Sequence, residues 1–287
     1  MLPSPQGSYR LFTLFGITAY LHWTWVIAAI IFLQISKQEP ILFLAEYVGL
    51  FLIVLTHEFG HALACRSVGG KSENIVLFPL GGVAYVNPPP RPGAVLWSVA
   101  AGPLVNVILV PVFMLAWLQW GGPMDLPPEN LLQSVIRHLA VVNGVLLVFN
   151  MLPIYPLDGG QIVQSILWFF VGYRKSLQFV ATIGMVAGIV MVGLGIWSGQ
   201  FMIIVMAIFI FMQALKGYGH AKLLAMSEQF EQNMQHMNSR MQDMFNQGGF
   251  GQQQTPPPSS SKPAPTADDD EVFDPKKYEK KHYMDDQ

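Results

Sequence analysis

The chain has 287 residues, of which 52% are hydrophobic and only 12% charged, with a formal net charge of -2. A soluble domain usually carries about 25% charged residues, so this composition argues against one and for a polytopic membrane protein. No cluster of Lys and Arg is dense enough to form the electrostatic footprint of a nucleic-acid-binding protein, and none is expected as a partner. The single cysteine, Cys65, excludes an internal disulfide and a cysteine-based zinc cage.

In chain order, the start "MLPSPQGSYR" lacks a basic stretch followed by a short apolar core and a cleavage site. It reads as an uncleaved terminus, with the first apolar segment acting as the targeting signal. A spanning helix needs roughly 20 mostly apolar residues. Six segments meet or approach that length: 11–36, 41–64, 94–120, 139–157, 177–197 and 201–215. The expected fold is therefore all-α and polytopic, with about six transmembrane helices. Residues 198–200, Ser-Gly-Gln, mark a tight turn between the last two. Between the second and third spans, 75–78 and 83–86 read as two short strands of a β-hairpin. Such a hairpin is either an ordinary surface feature or an edge that an extended peptide can join as a further strand. With an inside N-terminus, Arg10, Arg66, Lys71, Arg91, Arg174, Lys175, Lys216 and Lys222 all face the cytoplasm, against Lys37 and Arg137 outside. The expectation is a multi-pass cell-membrane protein in the lipid bilayer, both termini cytoplasmic.

The second span contains "LTHEFGHALA". Ionisable residues inside a span are costly and mark function by default. His57 and His61 lie four apart, on one helix face, where they can share one metal ion. Glu58 is offset by about 100° yet within reach of water on that ion. Zinc held by three protein ligands keeps a position for water and lowers its pKa to about 7, and a neighbouring carboxylate can then take the proton.

A third ligand is needed, and Asp158 in "FNMLPIYPLDGGQ" is the candidate. Its prolines and glycines break the fourth span, which a membrane tolerates only where the backbone is buried in protein or lines a cavity. Taken alone, Asp158 is equally a ligand or a cap for the following helix. Spans two and four run in the same direction, so Asp158 and the histidines reach one leaflet, which favours the ligand reading. Asn150, in the same segment, is either a donor to a developing oxyanion or a partner in an interhelical hydrogen bond. His22 in "YLHWTW" reads as part of an interfacial aromatic belt, with a place near the metal as the alternative. Asn106 in "AGPLVN" is expected to hydrogen-bond across helices and Gly102 to allow close packing. His138 is assigned no role.

"HEFGH" in one span with "NMLPIYPLDGG" in a later one closely resembles the site-2 protease family of intramembrane zinc metalloproteases. "LFPLGGVA" and "AGPLVN" add to the likeness, which covers about residues 11–217. The resemblance implies one zinc ion on His57, His61 and Asp158, Glu58 as catalytic acid/base, and Asn150 as a catalytic helper. It implies a zinc metalloendopeptidase that cuts membrane-anchored protein substrates within or near their transmembrane helices in regulated proteolysis. The chain looks like the compact six-span branch without a PDZ domain, and its tail is unlike the CBS-domain pair of some members. The alternative is a metal-binding membrane transporter or a proteolytically inactive scaffold.

The domain organisation expected is a six-span protease domain at 1–217, an amphipathic Met-rich cytoplasmic helix at 218–245 and a disordered tail at 246–287. In the helix, Leu223, Met226, Phe230, Met234, Met237, Met241 and Met244 recur three or four apart. That stripe fits self-association, partner binding, the bilayer surface or docking on the protein's own cytoplasmic face.

Overall fold

A computed structural model describes residues 7–36, 39–78, 81–120, 128 and 130–247. The expected disordered stretch lies, from residue 248 on, outside the described residues. Four strands and seven helices follow in the order β1 (Ser8–Leu14), β2 (Ile17–His22), α1 (Thr24–Ser36), α2 (Pro40–Ser67), β3 (Lys71–Phe78), β4 (Gly81–Asn87), α3 (Pro92–Trp120), α4 (Leu131–Asn150), α5 (Asp158–Val171), α6 (Tyr173–Ser198) and α7 (Phe201–Gln247). The chain divides into two compact units, 1–233 and 234–287. In the described part of the second, Met234, Met237, Met241, Met244 and Phe245 are all exposed.

The first unit departs from the six-segment expectation at its start. The run from Leu11 is a β-hairpin, not a helix. Phe15 and Gly16 have φ of 52° and 73°, the positive pair that a two-residue hairpin turn requires, and Leu14 closes on Ile17. An uncharged apolar stretch fits a strand as well as a helix, and the turn at Phe15 and Gly16 decides the matter. What remains is α1, 13 residues, or about 20 Å against a hydrocarbon core of about 30 Å. Among the described residues, five helices are long and apolar enough to cross a membrane: α2, α3, α4, α6 and α7.

The fourth span also shifts, from 139–157 to Leu131–Asn150. Its first turns carry Arg137 and His138, which an apolar window rejects. Both find partners on neighbouring helices: the Arg137 guanidinium lies 5.5 Å from the Trp117 ring centroid, and His138 pairs with Glu46 of α2. Asn130 caps the helix by accepting from the Gln133 N–H at 3.0 Å. The turn at 198–200 is present, with Gly199 in the left-handed region at φ 66°.

The hairpin after α2 is the outer half of a four-stranded sheet ordered β1-β2-β3-β4, with β2 and β3 parallel. The sheet packs one face on α2. Ile17, Ala19, Ile75 and Leu77 from the strands meet Val54, Leu55 and Ala62 from the helix, with Trp25 alongside. Arg66 near the end of α2 ties the layers together. It donates to the carbonyls of Ser72 (2.8 Å), Gly16 (3.0 Å) and Phe15. The sheet therefore lies over the segment of α2 that carries His57, Glu58 and His61.

Candidate metal centre

All three polar residues of the α2 motif are buried, with relative exposures of 6% for His57, 6% for Glu58 and 8% for His61. Asp158 reaches the two histidines from the far side. α4 ends at Asn150, residues 151–157 form a non-helical break that includes a cis Tyr155–Pro156 peptide, and α5 starts at Asp158. The residue at the helix cap is Leu157, which offers no side-chain hydrogen bond. Asp158 is thus in the first turn and its carboxylate faces the histidines instead of capping the helix.

The ligand atoms converge. Nε2 of His57 lies 3.0 Å from Nε2 of His61, and Oδ2 of Asp158 lies 3.1 Å and 3.5 Å from them. Zinc at 2.0–2.2 Å from nitrogen and oxygen ligands, in tetrahedral geometry, sets ligand atoms about 3.3–3.5 Å apart. The observed triangle matches one face of such a tetrahedron, so the donor set fits a zinc ion with one position left open. Among the described residues this is the group of three His, Cys, Asp or Glu side chains arranged to hold a metal.

The tautomers required for that role are set by α3 and α4. Asn143 donates from Nδ2 to the Asn106 carbonyl at 3.1 Å, and Asn106 donates from Nδ2 to Asn143 Oδ1 at 2.8 Å. That fixes the Asn106 amide with Oδ1 toward His57 Nδ1, 2.5 Å away. An amide oxygen only accepts, so His57 carries its proton on Nδ1 and presents a lone pair at Nε2. The Ser98 carbonyl, 2.9 Å from His61 Nδ1, imposes the same tautomer there. Partners of this kind orient histidine ligands and raise their basicity.

Glycine makes the space. A Cβ on Gly102 would sit 2.8 Å from His57 Nε2 and closer still to His61. The expected close packing at Gly102 is therefore an approach of α3 to the candidate ligand atoms of His57 and His61. A Cβ on Gly60 would meet the Ala101 carbonyl at 2.7 Å, so α2 and α3 touch backbone to backbone here. The break before Asp158 is pressed against two more helices. A Cβ on Gly184 of α6 would lie 2.5 Å from the Tyr155 carbonyl, and one on Gly217 of α7 2.8 Å from the Tyr155 ring.

Glu58 points to the sheet. Its Oε2 accepts from the Ala84 N–H of β4 at 2.9 Å. Asn150 closes α4, half-buried, and among the described residues no hydrogen bond joins it to the cluster. His22 is held at the end of β2 by Thr24, 2.8 Å from its Nδ1, and its ring packs against Trp23 and Phe78. Sequence reasoning did not identify Ser98, Asn143 or Ala84. Asn143 carried a signal, a buried amide in an apolar span, whereas the other two act through backbone atoms that any residue has.

The pattern of Peptidase family M50 matches residues 45–122 and 118–195. A zinc metalloprotease from Methanocaldococcus jannaschii is 31% identical over 208 residues, covering 72% of this chain and 59% of that protein. A putative zinc metalloprotease from Synechocystis is 30% identical over 204 residues, covering 66% of this chain and 52% of that protein. Stage IV sporulation protein FB from Bacillus subtilis is 31% identical over 134 residues, covering 45% and 41%. The chain thus spans about half the length of the curated relatives it matches. The solved structure of a site-2 protease from Methanocaldococcus jannaschii superposes with a TM-score of 0.56 at 30% identity, over 74% of this chain and 95% of that one. With apolar helices enough for several membrane crossings, a buried HEFGH on one and Asp158 beyond the break after another, the chain belongs to Peptidase family M50, the site-2 protease family.

Proposed function

We propose that the chain is a zinc-dependent endopeptidase that cuts membrane-anchored proteins within or beside their transmembrane segments. The observation that carries this reading is the triangle of His57 Nε2, His61 Nε2 and Asp158 Oδ2 at tetrahedral-edge spacing, next in sequence to a buried carboxylate. His57, His61 and Asp158 would hold the ion, and zinc bound there would supply Lewis acidity toward a peptide carbonyl and acidify a water. Glu58 takes the proton from the attacking water and returns it to the departing amine. Asn150 donates its amide to the developing oxyanion. Asn106 and Ser98 keep both imidazoles in the ligating tautomer.

A helical substrate shields its peptide bonds with its own hydrogen bonds, so it must unwind to be cut. An extended segment finds a template at β4, the edge strand whose Ala84 N–H reaches Glu58, and joins it by backbone hydrogen bonds. Residues 1–217 form the catalytic body, 218–245 a Met-rich extension open to self-association or a partner, and 246–287 a tail. Both termini face the cytoplasm.

The test is Glu58→Gln in cells co-expressing a single-span membrane protein that the unaltered chain cleaves. Zinc content stays at one ion per chain and cleavage falls by about 10²–10⁴-fold. Persisting cleavage rejects the protease reading in favour of a non-hydrolytic metal-binding protein.

A further inference from the structure

Glu58 is anchored by main chain at the border of the sheet. Its partner, the Ala84 N–H, belongs to β4, which has β3 on one side only. Ala84 stands opposite Ile75 of β3. An N–H that reaches Glu58 does not donate to β3, so it lies in the outward-facing row of β4. Backbone groups alternate along a strand, which puts the N–H of Gly82 in the same row. That row is what an added strand uses. Gly82 brings it against the carboxylate: a Cβ there would come within 2.6 Å of Glu58 Cδ and Oε1. The catalytic carboxylate and an incoming peptide therefore share one donor.

We propose that the Ala84 N–H is exchanged between Glu58 and the substrate backbone, so that binding of an extended peptide frees the carboxylate for proton transfer. This rests on the protease reading above and adds a coupling to it. With the edge empty, Oε2 of Glu58 is tied to Ala84. A substrate carbonyl that takes the Ala84 N–H releases Glu58 beside the bond to be cut. Binding and activation of the base are then one event, and bulk water on the metal side meets a restrained base. Competition also makes a prediction opposite to the usual one for a catalytic residue: removing Glu58 tightens binding of an extended peptide.

The experiment uses the full chain, zinc-loaded, in detergent micelles. The probe is a fluorophore-labelled, acetylated nine-residue peptide of alternating Thr and Val, read by fluorescence anisotropy. A Pro-substituted version, which cannot join a strand edge, corrects for partition into the micelle. Glu58→Ala binds the probe about three- to tenfold more tightly than the unaltered chain, because the donor is no longer engaged. Glu58→Gln, whose amide oxygen still accepts, binds within about twofold of it. Ala84→Pro removes the outward donor without a ladder bond, weakens binding, and cancels the gain from Glu58→Ala in the double variant. The ¹⁵N–¹H signal of Ala84 moves on Glu58→Ala and moves again on adding the probe. Equal or weaker binding by Glu58→Ala overturns the proposal, and that comparison decides it even where Ala84→Pro does not fold. Cleavage is measured on the same preparation of unaltered chain. Absent cleavage overturns the proposed function, whereas cleavage with an unchanged Glu58→Ala affinity overturns the coupling alone.

Discussion

Asn106→Ala separates orientation of the metal centre from ligation, because Asn106 touches only the far nitrogen of His57. The substitution removes the acceptor 2.5 Å from His57 Nδ1 and the donor 2.8 Å from Asn143 Oδ1. Both asparagines are buried, at 0% and 1% exposure, so water does not replace the lost groups freely. Loss of such an orienting partner costs about 10–100-fold in metal affinity, or about 1.4–2.7 kcal/mol. The stranded Asn143 oxygen lowers stability by a further ~1–3 kcal/mol. Asn106→Asp keeps an acceptor for His57 and retains the affinity while still losing the donor to Asn143. The assay is zinc competition with a chromophoric chelator in detergent, run beside thermal unfolding followed by circular dichroism. Folded Asn106→Ala that holds zinc within about twofold of the unaltered chain refutes the orientation argument, since a merely structural Asn106 moves stability and leaves affinity alone.

Three other outcomes follow from the same geometry. Gly102→Ala places a methyl group 2.8 Å from His57 Nε2 and closer to His61; zinc affinity falls by at least about tenfold, read in the same competition, and a smaller loss means α3 can retreat at little cost. Gly217→Ala pushes on the Tyr155 ring, where a Cβ has only 2.8 Å; Tyr155 precedes Asp158 by three residues, so cleavage and zinc affinity decline together, whereas Gly219→Ala, whose Cβ meets nothing within 4 Å, leaves both unchanged. Arg66→Gln withdraws a charged donor from the carbonyls of Ser72, Gly16 and Phe15; unfolding in detergent shifts by about 1.5–3 kcal/mol, and proteolysis of the β1–β2 turn speeds up.

The residues of the candidate centre were legible in the sequence because they are rare side chains in an apolar background. Two histidines four apart, a carboxylate beside them and a lone Asp after a Pro- and Gly-rich break are visible without a fold, and the structure brings His57, His61 and Asp158 into one cluster. The α2, α3, α6 and α7 segments were legible for the same reason: a long uncharged run has few alternatives. Hydropathy failed where an apolar run had another use. Residues 11–22 carry no charge, as a spanning helix would, but pair as strands, because Gly16 permits a positive-φ turn and β2 buries Ile17 and Ala19 against α2 while Leu11, Phe12 and Leu14 of β1 stay exposed. It failed again at the start of α4, where Arg137 and His138 are tolerated only because Trp117 and Glu46 stand opposite them.

What the sequence by itself determined is the inventory: a membrane-class composition, the candidate ligand types, their helical spacing and the break that carries Asp158. What only the tertiary structure decided is how those residues are held. The Nε2 lone pairs of His57 and His61 are fixed by Asn106 on α3, steadied by Asn143, and by the Ser98 carbonyl; the free edge of β4 sits on Glu58; and glycines at 82 and 102 set the approach distances. Each depends on backbone atoms or on partners far along the chain. Local periodicity reports which face of one helix is apolar, and it carries no information about which carbonyl or amide a distant segment will bring to that face.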